Sequence, residues 1–264
     1  MRCRFVTAAL CMSSALLACS ASGPPAATAA TPTTVPRIAV TPSTRPARAF
    51  TLGFESSNDF ADMYVSPQTA STRHGLVGSP RHSGMHAHCG WLTGPGTSAD
   101  RDGPNHRGYP TQQLWRLPGG GFATPAVISI WVWADVTMKP GEWVSLATLS
   151  ADASDGWKRV VTVNLDPGGW INVFHVPNHG EHVTEIETHR PFPMRRWVHL
   201  TITIDFDPRH GRISVLQENR LVARARVNGG HGRLEQTHFG MYAHPSLTSG
   251  KVCNDDLRIA AAAD

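Results

Sequence analysis

A histidine or tyrosine that shares one strand face with a second proton carrier can pass protons to whatever lies across it. The run His238-Phe239-Gly240-Met241-Tyr242-Ala243-His244 has that spacing. Strand alternation sends His238, Tyr242 and His244 to one side and Phe239 and Met241 to the other. Imidazole and phenol are general acid–base groups when their surroundings tune them towards the working pH. The same pattern also describes the polar outer face of a sheet that only binds. A second constellation is Trp131 and Trp133, two residues apart on one side of an apolar strand. Indole faces stack on the apolar faces of sugar rings, and His199 and Gln112 are candidate polar companions on neighbouring strands. The competing reading buries both indoles beneath a covering loop.

Other chemistries have less support. His86 and His88 alternate onto one face, but no third ligand stands nearby to complete a zinc site. With 14 histidines in the chain, chance pairing accounts for them. No glycine-rich loop follows a strand and opens a helix, so nucleotide binding has no motif. A Gly-x-Ser-x-Gly nucleophile elbow is absent too.

These residues need strands to position them, and the sequence supplies strands almost throughout. In Ala126–Val136, Ile128, Ile130, Val132 and Ala134 alternate with Ser129, Trp131, Trp133 and Asp135. Trp197–Phe206 repeats the pattern, with Val198, Leu200, Ile202 and Ile204 inward and His199, Thr201 and Thr203 outward. Asp166-Pro167-Gly168-Gly169 is a hairpin turn between Arg159–Leu165 and Trp170–Val176. Glu218-Asn219 turns Ile213–Gln217 back into Arg220–Arg226. No long stretch has helical periodicity. Many short strands joined by such turns predict one antiparallel β sandwich over residues 49–260, with 261–264 as a tail.

The chain of 264 residues carries a net charge of +4, unevenly distributed. Residues 1–50 hold five arginines and no acid, which leaves 19 basic against 20 acidic residues, or −1, for the remainder. The basic excess belongs to the leader and the linker after it, and nucleic-acid binding loses its electrostatic footprint. Arg2 and Arg4 precede the apolar stretch Phe5–Ala18, shorter than the ~20 residues a spanning helix needs and suited to a signal-peptide core. Leu16-Leu17-Ala18-Cys19 closes that stretch and resembles the lipobox of bacterial lipoproteins. Residues 1–18 are thus expected to be a signal peptide and Cys19 a lipidated N-terminus that holds the protein on a membrane of the cell envelope. The competing reading cleaves an ordinary signal peptide near Ala27 or Ala30. Residues 19–48, rich in Ala, Pro and Thr, are expected to act as a flexible tether.

Several short segments carry a wider likeness. Phe54-Glu55, Ser83-Gly84-Met85-His86-Ala87-His88, Trp197-Val198-His199-Leu200, Phe239-Gly240-Met241-Tyr242 and Asn254-Asp255-Asp256-Leu257-Arg258-Ile259 together resemble the concanavalin A-like lectin/glucanase superfamily. The polysaccharide-lyase-like and laminin-G-like members are the most similar. The resemblance implies an all-β, antiparallel jelly-roll sandwich with a concave sheet that meets carbohydrate. It implies that the first and last strands pair, bringing Cys89 towards Cys253. In an exported domain those two cysteines either bridge or stay as separate thiols, and this pairing favours the bridge.

For a uronate lyase the resemblance implies Tyr242 as base or acid, His238 or His244 as its partner, and Arg116 on the substrate carboxylate. Gln112-Gln113-Leu114-Trp115-Arg116 would supply the glutamine and arginine, although the Arg-x-Glu-x-Arg strand of alginate-type lyases is missing. Glu55, Asp255 and Asp256 resemble a structural Ca²⁺ site, whose hard ion suits carboxylates; the competing reading has the Asp pair accept turn hydrogen bonds. Glycosidase chemistry needs paired carboxylates about 5–5.5 Å apart for retention, and Glu185-Ile186-Glu187 lacks the third acid of such strands. The expectation is therefore a lipid-anchored protein whose jelly roll binds polysaccharide. The alternatives are a lyase, with the Tyr242 and Trp131 surfaces on one shared face, and a structural envelope lipoprotein that binds no sugar.

Overall fold

A computed structural model describes residues 48–60, 64–65, 71–96, 105–153, 159–175, 183–185, 187–227 and 229–262. The expected signal peptide, Cys19 and the expected tether up to residue 47 lie outside the described residues, as do residues 263–264 of the expected tail.

The described residues build two sheets and a small ribbon. From edge to edge the first sheet runs β15 (Arg220–Arg226), β14 (Arg212–Gln217), β13 (Val198–Asp205), β8 (Ala126–Val136), β19 (Gly250–Ala261), β4 (Ala87–Leu92) and β3 (Thr72–Val77). The first strand, β1 (Ala49–Leu52), pairs with β19, the last. The second sheet runs β12 (Val183–Glu185), β11 (Ile171–His175), β10 (Val160–Leu165), β9 (Val144–Ser150), β17 (Gln236–His238), β6 (Pro110–Gln112) and β2 (Tyr64–Val65). Beside it, β18 (Met241–Ala243) pairs with both β9 and β5 (His106–Gly108). The ribbon joins β7 (Phe122–Ala123) to β16 (Arg233–Leu234). Every pairing is antiparallel. The fold is an all-β jelly-roll sandwich, and the only helical turns among the described residues are two short 3-10 segments, Ser57–Phe60 and Leu114–Arg116.

Burial follows the sequence pattern. Ile128, Ile130, Val132 and Ala134 of β8 are fully buried, as are Leu200, Ile202 and Ile204 of β13, while the residues between them are only partly covered. From the other sheet Val144, Leu149, Val163, Ile171, Met241 and Ala243 meet them in one core. Each such aliphatic side chain contributes roughly 1.5–3 kcal/mol by leaving water. At the β14–β15 turn, Glu218 and Asn219 both take positive φ, +50° and +60°, as a twisted two-residue hairpin requires. Cys89 faces Cys253 in register across β4 and β19, with Cα atoms 4.0 Å apart, and the two form a disulfide.

The run from His238 to His244 departs from the single strand expected of it. It breaks at Gly240, φ +123°, into β17 and β18, which pair with different partners. An added Cβ at Gly240 would lie 2.9 Å from the Gly108 carbonyl oxygen, so the close approach of β5 requires a glycine there.

Candidate functional site: the outward face of the second sheet

The break leaves the side chains on their expected side. Phe239, Met241 and Ala243 enter the core, and Tyr242 projects from the opposite face. Register places Arg107 across from Tyr242 on one side and Ser145 on the other, with Asn164 and Asn172 continuing the row. The next row is Thr111, His238, Thr148, Thr162 and Phe174. A bulge in the β9–β10 pairing brings Ser145 and Thr148 onto the same face, where their hydroxyls lie 3.1 Å apart.

Around Tyr242 the contacts are specific. The Asn105 amide donates a hydrogen bond to the phenol oxygen at 3.2 Å. The Arg107 guanidinium carbon lies 6.0 Å from the ring centroid, at the outer limit of a cation–π contact. Trp143 and Tyr109 each meet the ring edge-on, at 5.1 and 5.9 Å. His238 also meets it edge-on at 5.5 Å, and Tyr109 covers His238 in a parallel stack at 3.6 Å. Burial, and then the charge of Arg107, holds the His238 pKa well below the usual imidazole value. His238 is thus a neutral ring packed behind Tyr242. It is 3% exposed and does not form an open partner surface.

His244 stands just past the end of β18, with Trp143 between it and Tyr242. Its Nδ1 is 2.9 Å from the Ser246 hydroxyl, which donates to Glu142 Oε1 at 2.7 Å. Glu142 is held below the usual carboxylate range, first by the Lys139 backbone N–H and next by Ser246. The Gln112–Arg116 segment does not extend as one strand. It ends β6 at Gln112 and turns through a 3-10 helix at Leu114–Arg116. Gln112 pairs with Thr237, one residue out of phase with His238, and so takes the other face. Arg116 is exposed and packs against its neighbour Trp115. The cation beside Tyr242 is Arg107, which the sequence reading missed. Its signal was weak, because β5 has only three residues and no alternation to read.

Trp131 and Trp133 belong to the first sheet, on its outward face, so the two candidate surfaces lie on opposite sheets and do not share a face. His82 stacks on Trp131 with ring centroids 3.8 Å apart, and His199 leans against it at 5.1 Å while sharing a 2.7 Å hydrogen bond with Ser129. His82 therefore covers one face of the Trp131 ring, which stays half-buried.

What holds His82 there is the carboxylate set. Asp255 accepts the His82 and Ser83 N–H groups at 2.9 and 3.1 Å. Asp256 accepts His82 Nδ1–H at 2.7 Å and the Ser83 hydroxyl at 2.8 Å. Glu55 accepts the Met85 and His86 N–H groups at 2.9 and 3.3 Å. The three carboxylates grip one loop, residues 79–86. Among the described residues no three His, Cys, Asp or Glu side chains are grouped to hold a metal ion.

No family model and no curated protein sequence matches this chain. Among solved structures, the endo-β-1,4-glucuronan lyase of the fungus Trichoderma reesei aligns with a TM-score of 0.56, over 81% of this chain and 95% of that one, at 9% identity. The cellulose-induced protein Cip1 aligns with a TM-score of 0.57, over 81% and 97%, at 11% identity. At these identities the likeness is one of fold, and the fold is the jelly-roll sandwich.

Proposed function

We propose that this chain is a polysaccharide-acting protein of the cell envelope, anchored through Cys19, that binds an acidic glycan on the outward face of the second sheet and cleaves it by β-elimination. The observation that carries the reading is the Tyr242 phenol, hydrogen-bonded by Asn105 and flanked by the Arg107 guanidinium on a polar face. The glucuronan lyase of the same fold supports it. The leader ending in Leu-Leu-Ala-Cys supports the anchor.

In this mechanism Arg107 and Asn105 hold the uronate carboxylate, and the positive charge stabilises the enolate that forms as the α proton leaves. The Tyr242 oxygen, entering the step as phenolate, takes that proton. Its electron pair becomes the new carbon–carbon double bond, and the glycosidic carbon–oxygen bond at the β position breaks. The leaving oxygen takes a proton back from Tyr242, so no water is consumed. His238, buried and neutral, sets the position of Tyr242. Binding without cleavage is the second reading, favoured by the burial of His238, which leaves Tyr242 to serve as both base and acid.

The test exposes the full-length protein to a panel of polyuronates and neutral glucans, following the ultraviolet absorbance of the new double bond and retardation in glycan-containing native gels. Absorbance that grows with a polyuronate is the expected result. Retardation alone would establish the second reading. Silence in both assays from folded protein would overturn glycan binding altogether.

A further inference from the structure

The first sheet ends in an arginine groove that none of this chemistry uses. Alternation along β14 and β15 sends Arg212, Ser214, Arg224 and Arg226 outward beside Thr203 of β13. In register, Thr203 faces Ser214, which faces Arg224; one row on, Asp205 faces Arg212, which faces Arg226. Thr203, Arg212, Ser214, Arg224 and Arg226 line an open groove of about 510 Å³.

Two like charges directly opposite one another across a strand pair cost stability, and Arg212 and Arg226 occupy that relation. The acids nearby compensate only in part. Arg224 pairs with Glu187 through its Nε at 2.7 Å, which leaves the terminal nitrogens of the fork for another acceptor. Arg212 is 3.8 Å from Asp205, beyond hydrogen-bonding range. Arg226 has no acidic partner among the described residues. The side chains of Arg212 and Arg224 are 73% and 65% exposed, so their guanidinium groups remain in reach of a ligand.

The geometry points to a second anion-binding site, one that holds a stretch of acidic polysaccharide on the sheet opposite Tyr242. Guanidinium forks take carboxylate or sulfate groups in pairs of hydrogen bonds, and the Thr203 and Ser214 hydroxyls suit sugar hydroxyls between them. An anionic lipid surface is the rival source of charge. Outside residues 1–50 the chain carries −1 overall, which disfavours docking of the whole domain against such a surface, while a local groove can still take a chain. The inference rests on the acidic-glycan reading of the Tyr242 face and deepens it. A polymer held at two places on one molecule stays near the cleaving face at raised effective concentration.

The test uses full-length protein carrying Arg212→Ser, Arg224→Ser and Arg226→Ser together, and Arg226→Glu alone as a milder probe, each checked for an unchanged circular dichroism spectrum. Retention by a long polyuronate in native gels is expected to weaken about tenfold in the triple variant, the loss of charge-assisted bonds worth that factor. Turnover of an oligosaccharide too short to reach both sheets is expected to hold. Unchanged retention of the polymer in both variants would overturn the second site, while Tyr242→Phe losing cleavage in the same assays would leave the first standing. Loss of binding to phosphatidylglycerol vesicles with glycan retention intact would also overturn it, in favour of a lipid surface. No retention and no cleavage by the wild type would remove both readings together.

Discussion

Tyr242 and Arg107 meet because two short strands, β18 and β5, pair in one register. The chemistry of each is incomplete alone: a phenol needs charge beside the carboxylate, and a guanidinium moves no proton at working pH. Arg107→Ala is expected to lower kcat/KM on a polyuronate about a hundredfold, the usual cost of removing one group that stabilises developing negative charge. Steady-state kinetics would check it, and an unchanged value would remove Arg107 from the mechanism. His88 gives a prediction of another kind. Burial, reinforced by His74 at 3.2 Å, lowers its pKa to about 3. Between pH 3 and the unfolded value near 6.5, the unfolded chain binds a proton that the folded chain refuses. Stability therefore falls as pH drops through that window, by up to about 1.4 kcal/mol per pH unit for this one group. Thermal melts of wild type and His88→Gln across pH 3–7 should show a shallower acid limb in the variant; parallel limbs would contradict the assignment. At this scale the sequence exposed Tyr242, whose alternation with Phe239 and Met241 survives the Gly240 break. It hid Arg107, and it gave no sign that His82 would lie on Trp131, because a contact across 49 positions leaves no periodic trace.

Elements explain which readings held. Strands with long alternation and flanking turns, β8, β13, the β10–β11 hairpin and the β14–β15 hairpin, lie where the pattern predicted them. Which strands share a sheet was not legible, since alternation fixes a face and not a neighbour. Trp131 and Tyr242 consequently looked like parts of one surface. Between β3 and β4, the loop of residues 79–86 is the element most dependent on single residues. Gly84 has φ +54°, and a Cβ placed there would fall 1.6 Å from Glu55 Oε1. Gly84→Ala is expected to lower stability by at least about 1 kcal/mol and to free the loop from Trp131, seen as a change in indole fluorescence. An unaltered melt and spectrum would mean that the grip is looser than drawn. The β4–β19 disulfide closes a loop with a sequence separation of 164 residues. Removing it by Cys89→Ala with Cys253→Ala should cost about 2–4 kcal/mol in denaturant melts, and a loss near zero would contradict a stabilising role.

For the whole molecule, the two sheets divide the work. The second carries the Tyr242 face, and the first carries the capped Trp131 and the arginine groove. On the proposed reading a single jelly roll holds one polymer on both sides, the net basic excess of the chain lying in residues 1–50 and the groove being a local cluster of three arginines. Glycan retention should weaken as salt rises, because the charges that meet the polymer are exposed and screened over about 8–10 Å at physiological ionic strength. The proposed chemistry turns on the phenol. The most direct measurement is the rate of double-bond formation from a polyuronate by full-length wild type and by Tyr242→Phe, with glycan retention measured on the same samples. A fall of at least about a hundredfold in rate is expected, with retention nearly unchanged. A variant that eliminates as fast as the wild type would contradict that chemistry.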